Sequence, residues 1–195
     1  INNIISYLHA RKPAILSTMY ADRTEVKNAI VDTIPLSDLV VKLKLIKEFP
    51  VSNPQKSAPH ARIQKLDFEP HSGQSFILDM NSTLYRLSGD QISVYLDMSK
   101  QIEKFINQPG LSSGFASFAF HPEHYKNGLL YTAHTEPAAT KPADFTFEDS
   151  LESALQFVIL EWKTHDPNAV EFDGTHRELF RIDMVSKAHG VQEIA

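Results

Sequence analysis

The chain has 195 residues, a formal net charge of −5, 42% apolar content and no cysteine, which is enough apolar material to bury a real core. Its acidic balance and scattered lysines and arginines exclude the basic field that gathers nucleic-acid phosphates. The missing cysteines exclude disulfides and thiolate metal sites, and no run approaches the roughly 18 apolar residues that span a bilayer.

Residues 1–38 mix apolar and charged positions, and Thr24 to Val31 fits a short helix or a strand equally. From Leu39 the chain alternates. Val41, Leu43 and Leu45 point one way and Lys42 and Lys44 the other, so a half-buried strand is expected near 39–49, ended by Phe49-Pro50. Ser52 to Pro59 reads as a loop, and residues 1–59 as an N-terminal extension.

Four strands are then predicted at Arg62–Phe68, Ser75–Asp79, Thr83–Leu87 and Ile92–Leu96. The turns between them, Pro70-His-Ser-Gly73, Met80-Asn-Ser82 and Ser88-Gly-Asp90, are short enough for antiparallel hairpins. A short helix is expected around Lys100–Ile106, stopped by Pro109-Gly110. Four more strands follow at Phe115–Phe120, Leu129–His134, Gln156–Lys163 and Glu178–Asp183. The connection from Glu136 to Leu155 is long and contains the acidic Phe147-Glu-Asp-Ser-Leu-Glu152.

Two stretches echo each other. Leu66-Asp-Phe-Glu-Pro70 and Phe118-Ala-Phe-His-Pro122 place Phe68 and Phe120, and Pro70 and Pro122, 52 residues apart (120−68 and 122−70). A period of that size built from short strands is what β-propeller blades produce, because one four-stranded sheet cannot bury both its faces alone. The expected fold is therefore all-β: the first two blades and the start of a third of a β-propeller, which has roughly four to eight blades. Blade 1 is placed at about 60–98, blade 2 at about 111–185 and the start of blade 3 at 189–195. The chain starts at Ile1 without Met and ends at Glu193-Ile-Ala195 as an apolar pattern begins, so it reads as the N-terminal part of a longer protein. A fragment of two blades leaves sheet faces uncovered, which predicts self-association. A small autonomous sandwich is the competing architecture.

Several motifs invite a chemical reading. His121-Pro-Glu-His124 offers two imidazoles, but Pro122 favours a turn over the helix that would align them on a metal, so His121 is expected to bond within the turn. His134 ends a strand and reads as structural. Gly110-Leu-Ser-Ser-Gly114 satisfies Gly-x-Ser-x-Gly, yet it precedes a strand where a nucleophile elbow must open a helix. Trp162, alternating with Leu160 and Val158, reads as packing between sheets, and Glu148, Asp149 and Glu152 as a solvated face.

The Gly114-Phe-Ala-Ser-Phe-Ala-Phe-His-Pro122 run, followed by Asn127-Gly128 and Tyr131, resembles the glucose/sorbosone dehydrogenase family of soluble quinoprotein-type six-bladed propellers. Ala119-Phe-His-Pro122 and Asn127-Gly128 match the family's pattern, whereas Phe115-Ala-Ser117 departs from it. The resemblance runs from about Ala61 to the end of the chain. It implies a sugar or polyol substrate, a periplasmic or secreted location, and pyrroloquinoline quinone (PQQ) with calcium in a central channel. It further implies a histidine base on the substrate hydroxyl while hydride passes to the quinone. The matching histidine is His189, in Lys187-Ala-His-Gly-Val-Gln192, and an imidazole titrating near neutrality suits the task. The chain departs at two positions: a Gln or Glu that faces the cofactor is Ser112 here, and an Asp before the base is Ala188. By the same resemblance, the main ligands of calcium and the quinone belong to later blades outside this chain. A non-catalytic extracellular propeller binding a carbohydrate or other ligand is the second expectation.

Overall fold

The computed structural model describes residues 40–52, 60–108, 111–147, 151–187, 189–191 and 193–195. The chain divides into two compact units, Ile1–Lys44 and Leu45–Ala195. Of the first, residues 40–44 are described, and they are exposed and carry no regular structure.

The second unit is all-β. Its eight strands are β1 (Ile63–Phe68), β2 (Ser75–Asp79), β3 (Thr83–Ser88), β4 (Gln91–Asp97), β5 (Phe115–Phe120), β6 (Leu129–Pro137), β7 (Leu155–Thr164) and β8 (Gly174–Met184). They form two four-stranded antiparallel sheets, ordered β1-β2-β3-β4 and β5-β6-β7-β8. Each sheet is a plain meander, because each successive pair of strands is joined by a turn or by one connection on its own side of the sheet. Two four-residue helices, α1 (Met98–Gln101) and α2 (His124–Asn127), are the described helices, and no described helix is long and apolar enough to cross a membrane.

Strand positions follow the alternation closely, and the differences have local causes. The helix expected at Lys100–Ile106 lies earlier, because the Asp97 carboxylate caps it by accepting from the Ser99 amide at 3.1 Å and the Ser99 hydroxyl at 2.7 Å. The last two strands are longer than the sequence suggests, since β7 and β8 pair along almost their whole length, from Leu155↔Met184 to Thr164↔Gly174. The strand expected near 39–49 is not formed at its described positions 40–49. Alternation makes a backbone extended, but only ladder hydrogen bonds to a neighbour make a strand. Residues 47–52 instead cross the first sheet singly: Lys47 donates to the Asp90 carbonyl, Phe49 packs on Tyr85 with ring centroids 5.5 Å apart, and Ser52 donates to the Asp79 carboxylate. Most of the acidic Phe147–Glu152 segment lies outside the described residues, and Glu152 itself is exposed.

The two sheets face each other. Phe76, Leu78, Leu84, Tyr95 and Leu96 of the first join Phe118, Leu130, Val158, Leu160 and Trp162 of the second in one buried cluster. Trp162 is fully buried there, its indole N–H donating to the Thr132 hydroxyl at 2.8 Å, so it packs between sheets. A second cluster lies on the far face of the second sheet, where Ala133, Phe157 and Ile159 meet Val191 and Ile194 of the C-terminal residues. The corresponding outer face of the first sheet leaves Leu66 and Phe68 exposed at 56% and 51%, so this face is only partly covered.

The echo seen in the sequence is structural. β1 and β5 have equal lengths and start 52 positions apart (115−63), and each carries a register irregularity at its second residue, between Ile63 and Lys65 and between Phe115 and Ser117.

Candidate functional site

Antiparallel register sorts the connections to two opposite edges. Ile63 pairs with Asp79, Asp79 with Thr83, and Thr83 with Asp97. In the second sheet Phe115 pairs with His134, Pro137 with Leu155, and Leu155 with Met184. Of the described residues, 60–62, 80–82, 98–108, 111–114, 138–147, 151–154, 185–187 and 189–190 therefore gather along one edge. The turns at 69–74, 89–90, 121–128 and 165–173 occupy the other.

His189 belongs to the first edge. It is exposed, its backbone N–H donates to the Ser186 hydroxyl at 3.2 Å, and its ring makes no hydrogen bond to a described residue. Ala188 lies outside the described residues. Ser112 is 1% exposed, and its hydroxyl donates to the Lys187 carbonyl at 3.1 Å. The serines of Gly-x-Ser-x-Gly are thus buried at the entry to a strand, and the Ser112 hydroxyl is turned to a backbone carbonyl rather than to an imidazole among the described residues. The geometry here is that of an inter-sheet connection, as the order strand after motif requires.

The same edge holds a polar network that pins the connection before β5. Arg62 donates to the carbonyls of Asn107 (3.3 Å), Leu111 (2.7 Å) and Ser113 (2.9 Å). Asp79 accepts from the backbone N–H groups of Arg62 and Asn81, each at 3.0 Å, and the Asn107 side chain donates to the Asn81 carbonyl at 2.9 Å. Gly114 reaches φ +131°, and a Cβ there would lie 2.1 Å from the Met80 carbonyl oxygen, so only glycine lets the chain pass from loop to β5.

A second group on this edge includes His134, which the sequence marks as structural, with two partners that it does not mark. His134, Glu136 and Arg181 are all buried on the second sheet, with the Phe105 ring of the connection before β5 centred 6.2 Å from that of His134. The Arg181 guanidinium donates to Glu136 at 2.8 Å, to Gln156 at 2.9 Å and to both oxygens of Glu178. His134 Nε2 stands 3.2 Å from Glu136 Oε1. Burial drives the His134 ring toward its neutral form against the pull of Glu136. Burial would raise Glu136, but hydrogen bonds from His134 and Arg181 hold it down at about 2. The signal was present as spacing: His134 and Glu136 continue the face of Leu130 and Thr132, which puts a charge where an apolar residue is expected.

His121 and His124 sit on the opposite edge. His121 Nδ1 accepts from the Glu123 N–H at 3.0 Å and contacts the Asn127 amide at 2.9 Å, closing the turn after β5. His124 is buried, edge-on to Phe120, with Nδ1 3.5 Å from Glu69 Oε1. Burial lowers its proton affinity, with the Glu69 charge opposing.

These arrangements bear on the implied cofactor. Calcium wants six to eight oxygens, and PQQ carries carboxylates that call for cationic partners. Among the described residues no group of three or more His, Asp or Glu side chains could hold a metal ion. At the His189 edge Arg62 already binds three carbonyls, and Asp79 already accepts from Ser52, Arg62 and Asn81. The described residues therefore form no calcium site by themselves, and Arg62 is already engaged with the protein's own backbone. Compared with known proteins, the chain matches no family model and no curated protein.

Proposed function

We propose that the two sheets are the first two blades of a six-bladed β-propeller of the glucose/sorbosone dehydrogenase type, with His189 as general base toward a sugar or polyol hydroxyl. The carrying observation is the repeat in three dimensions: β1 and β5 start 52 residues apart (115−63) with the same irregularity at the same position. Their sheets stack face to face, as blades must. A further junction is begun in the same manner. Gln64 of β1 donates to the Ala116 backbone carbonyl, and Ser117 of β5 accepts from the Ile194 backbone N–H. Residues 193 and 194 also bond Lys65 of β1, so the chain end runs along the starts of both strands, where a third blade starting at 189–195 would begin.

In this reading His189 lies where successive blades begin, and its exposed imidazole accepts the substrate's hydroxyl proton. No step is assigned to PQQ or calcium from the residues of this chain. A sugar-oxidising quinoprotein of this type works outside the cytoplasm, so the reading includes a periplasmic or secreted protein. Dye reduction with added PQQ, calcium and a panel of aldoses and polyols tests it: activity should fall at least about 100-fold on His189→Ala, and full activity in that variant would refute the base.

The second reading, a propeller that binds a carbohydrate or other ligand without catalysis, draws on one observation. Arg62 and Asp79, on the same edge as His189, are engaged with the protein's own backbone. Calorimetry with PQQ and calcium separates the readings, since the binding module should show no heat at micromolar quinone. The exposed Leu66 and Phe68 favour self-association of this chain, measurable by sedimentation.

A further inference from the structure

We infer that Ser112 is a positioning residue for His189: buried where the two sheets join, its hydroxyl fixes the backbone two residues ahead of that imidazole. The assignment rests on the reading of His189 as the base, and its geometry stands on contacts of its own.

The orientation of Ser112 is set from both sides. Arg62 donates to the carbonyls of Leu111 and Ser113, at 2.7 and 2.9 Å, which holds the peptide plane just before Ser112 and the one just after Ser113. Arg62 is itself anchored by its backbone N–H on Asp79. One residue further, the Gly114 N–H donates to the Thr135 hydroxyl at 2.7 Å, and that hydroxyl donates to the Ile106 carbonyl at 2.7 Å. A short side chain on so constrained a backbone has little rotational freedom, and it is 1% exposed. Its donor meets the Lys187 carbonyl at 3.1 Å.

The segment so held is short and is anchored again beyond His189. Gly190 lies so close to Phe157 that a Cβ would come within 2.0 Å of the ring, and Val191 enters the cluster of Phe157 and Ile159. Between these two anchors the His189 N–H turns back to the Ser186 hydroxyl, and the residue remains exposed. In the resemblance, the position of Ser112 carries a longer side chain that faces the cofactor. Here its hydroxyl bonds the connection that bears the base, so this substitution exchanges a contact to the ligand for a contact that orders the imidazole's backbone. A preorganised base needs such a support, because misplacement by about 1 Å is enough to cost a large factor in rate.

The test is site-specific NMR on the whole chain. In the unsubstituted protein the backbone order parameters of Lys187, His189 and Val191 should be near 0.85, the value of rigid structure. In Ser112→Ala those of Lys187 and His189 should drop to about 0.6 or lower, while Val191, held by Phe157 and Ile159, and β5 to β8 keep theirs, and the His189 ring resonances should move while those of His121 and His124 on the far edge stay fixed. Ser112→Cys, which keeps a weak donor, should fall between. Unchanged order parameters and ring resonances in Ser112→Ala overturn the inference. So does a His189 that is already mobile without substitution, a measurement that remains decisive if Ser112→Ala fails to fold. Full dehydrogenase activity in His189→Ala would refute the base itself, whereas these resonances report on the Ser112 contact whatever that activity is.

Discussion

The side-chain amide of Gln64 donates to the backbone carbonyl of Ala116 at 2.9 Å, joining the first strand of one sheet to the first strand of the next across 52 positions of sequence. The bond sits at the register irregularity of each strand, where a ladder position is interrupted and a carbonyl is turned toward the neighbour. Gln64→Ala should lower stability by about 1 kcal/mol, the net worth of one such bond. Urea unfolding would check this, and a variant as stable as the parent would show that the bond adds nothing to the docking of the sheets.

Gly114→Ala should be far more damaging. The added methyl would stand 2.1 Å from the Met80 carbonyl on a backbone at φ +131°, and neither the carbonyl nor the buried β5 can move away cheaply. A loss of about 3 kcal/mol or more is expected, visible as a lower Tm or as failure to accumulate folded protein. Near-parental Tm would mean that the entry to β5 is looser than its hydrogen bonds indicate.

Arg181→Met should cost about 3–5 kcal/mol, because it leaves the buried Glu136 and part-buried Glu178 carboxylates without their shared cation. The double substitution Arg181→Met with Glu136→Gln should recover part of that loss, since it removes the stranded charge. Chemical denaturation of Arg181→Met, Glu136→Gln and the double variant against the parent measures the coupling, and simple additivity would count against a shared network.

Stability should also depend on pH in two stages. His134 and His124 are held neutral by burial, so below about pH 6.5 the unfolded chain takes up protons that the folded one refuses. Stability therefore falls on acidification from that point. Glu136, at about 2 when folded against an ordinary 4.5, contributes stability that is fully present above 4.5 and disappears as pH falls toward 2. Thermal melts at about pH 7, 5 and 3 should give successively lower Tm values. In His134→Leu the loss between pH 7 and 5 should shrink, and an unchanged profile would place the acid sensitivity elsewhere.

Strand positions and turns were legible because they depend on local chemistry: alternation, glycine, proline and Asx residues act within a few positions of themselves. The 52-residue echo from Phe68 to Phe120 was legible for the same reason, as two copies of one local pattern, and it fell on β1 and β5. The start of α1 was misplaced, although its signal, Asp97 before Met98 and Ser99, was a readable cap. What no local pattern carries is partnership across the fold. Residues near 39–49 alternate as a strand does, but pairing needs a neighbour with free ladder groups, and the described positions 40–49 have none.

The candidate site divides along the same line. His189 could be picked out by its sequence context, and His121 could be assigned to a turn because Pro122 follows it. Only the tertiary structure decided that Ser112 bonds Lys187, that Arg62 closes over the loop between sheets, and that His134, Glu136 and Arg181 form one buried group. The Ser112–Lys187, Arg62–Ser113 and Glu136–Arg181 contacts join residues 45 to 75 positions apart, and their geometry is set by how strands pair and sheets stack, a balance of burial and hydrogen bonding that no short segment contains. An all-β chain of repeating strands, and the places where each turns, follow from local residue chemistry; the pairing and stacking of its sheets set which polar groups meet, because side chains so distant in sequence become neighbours only when faces are buried together.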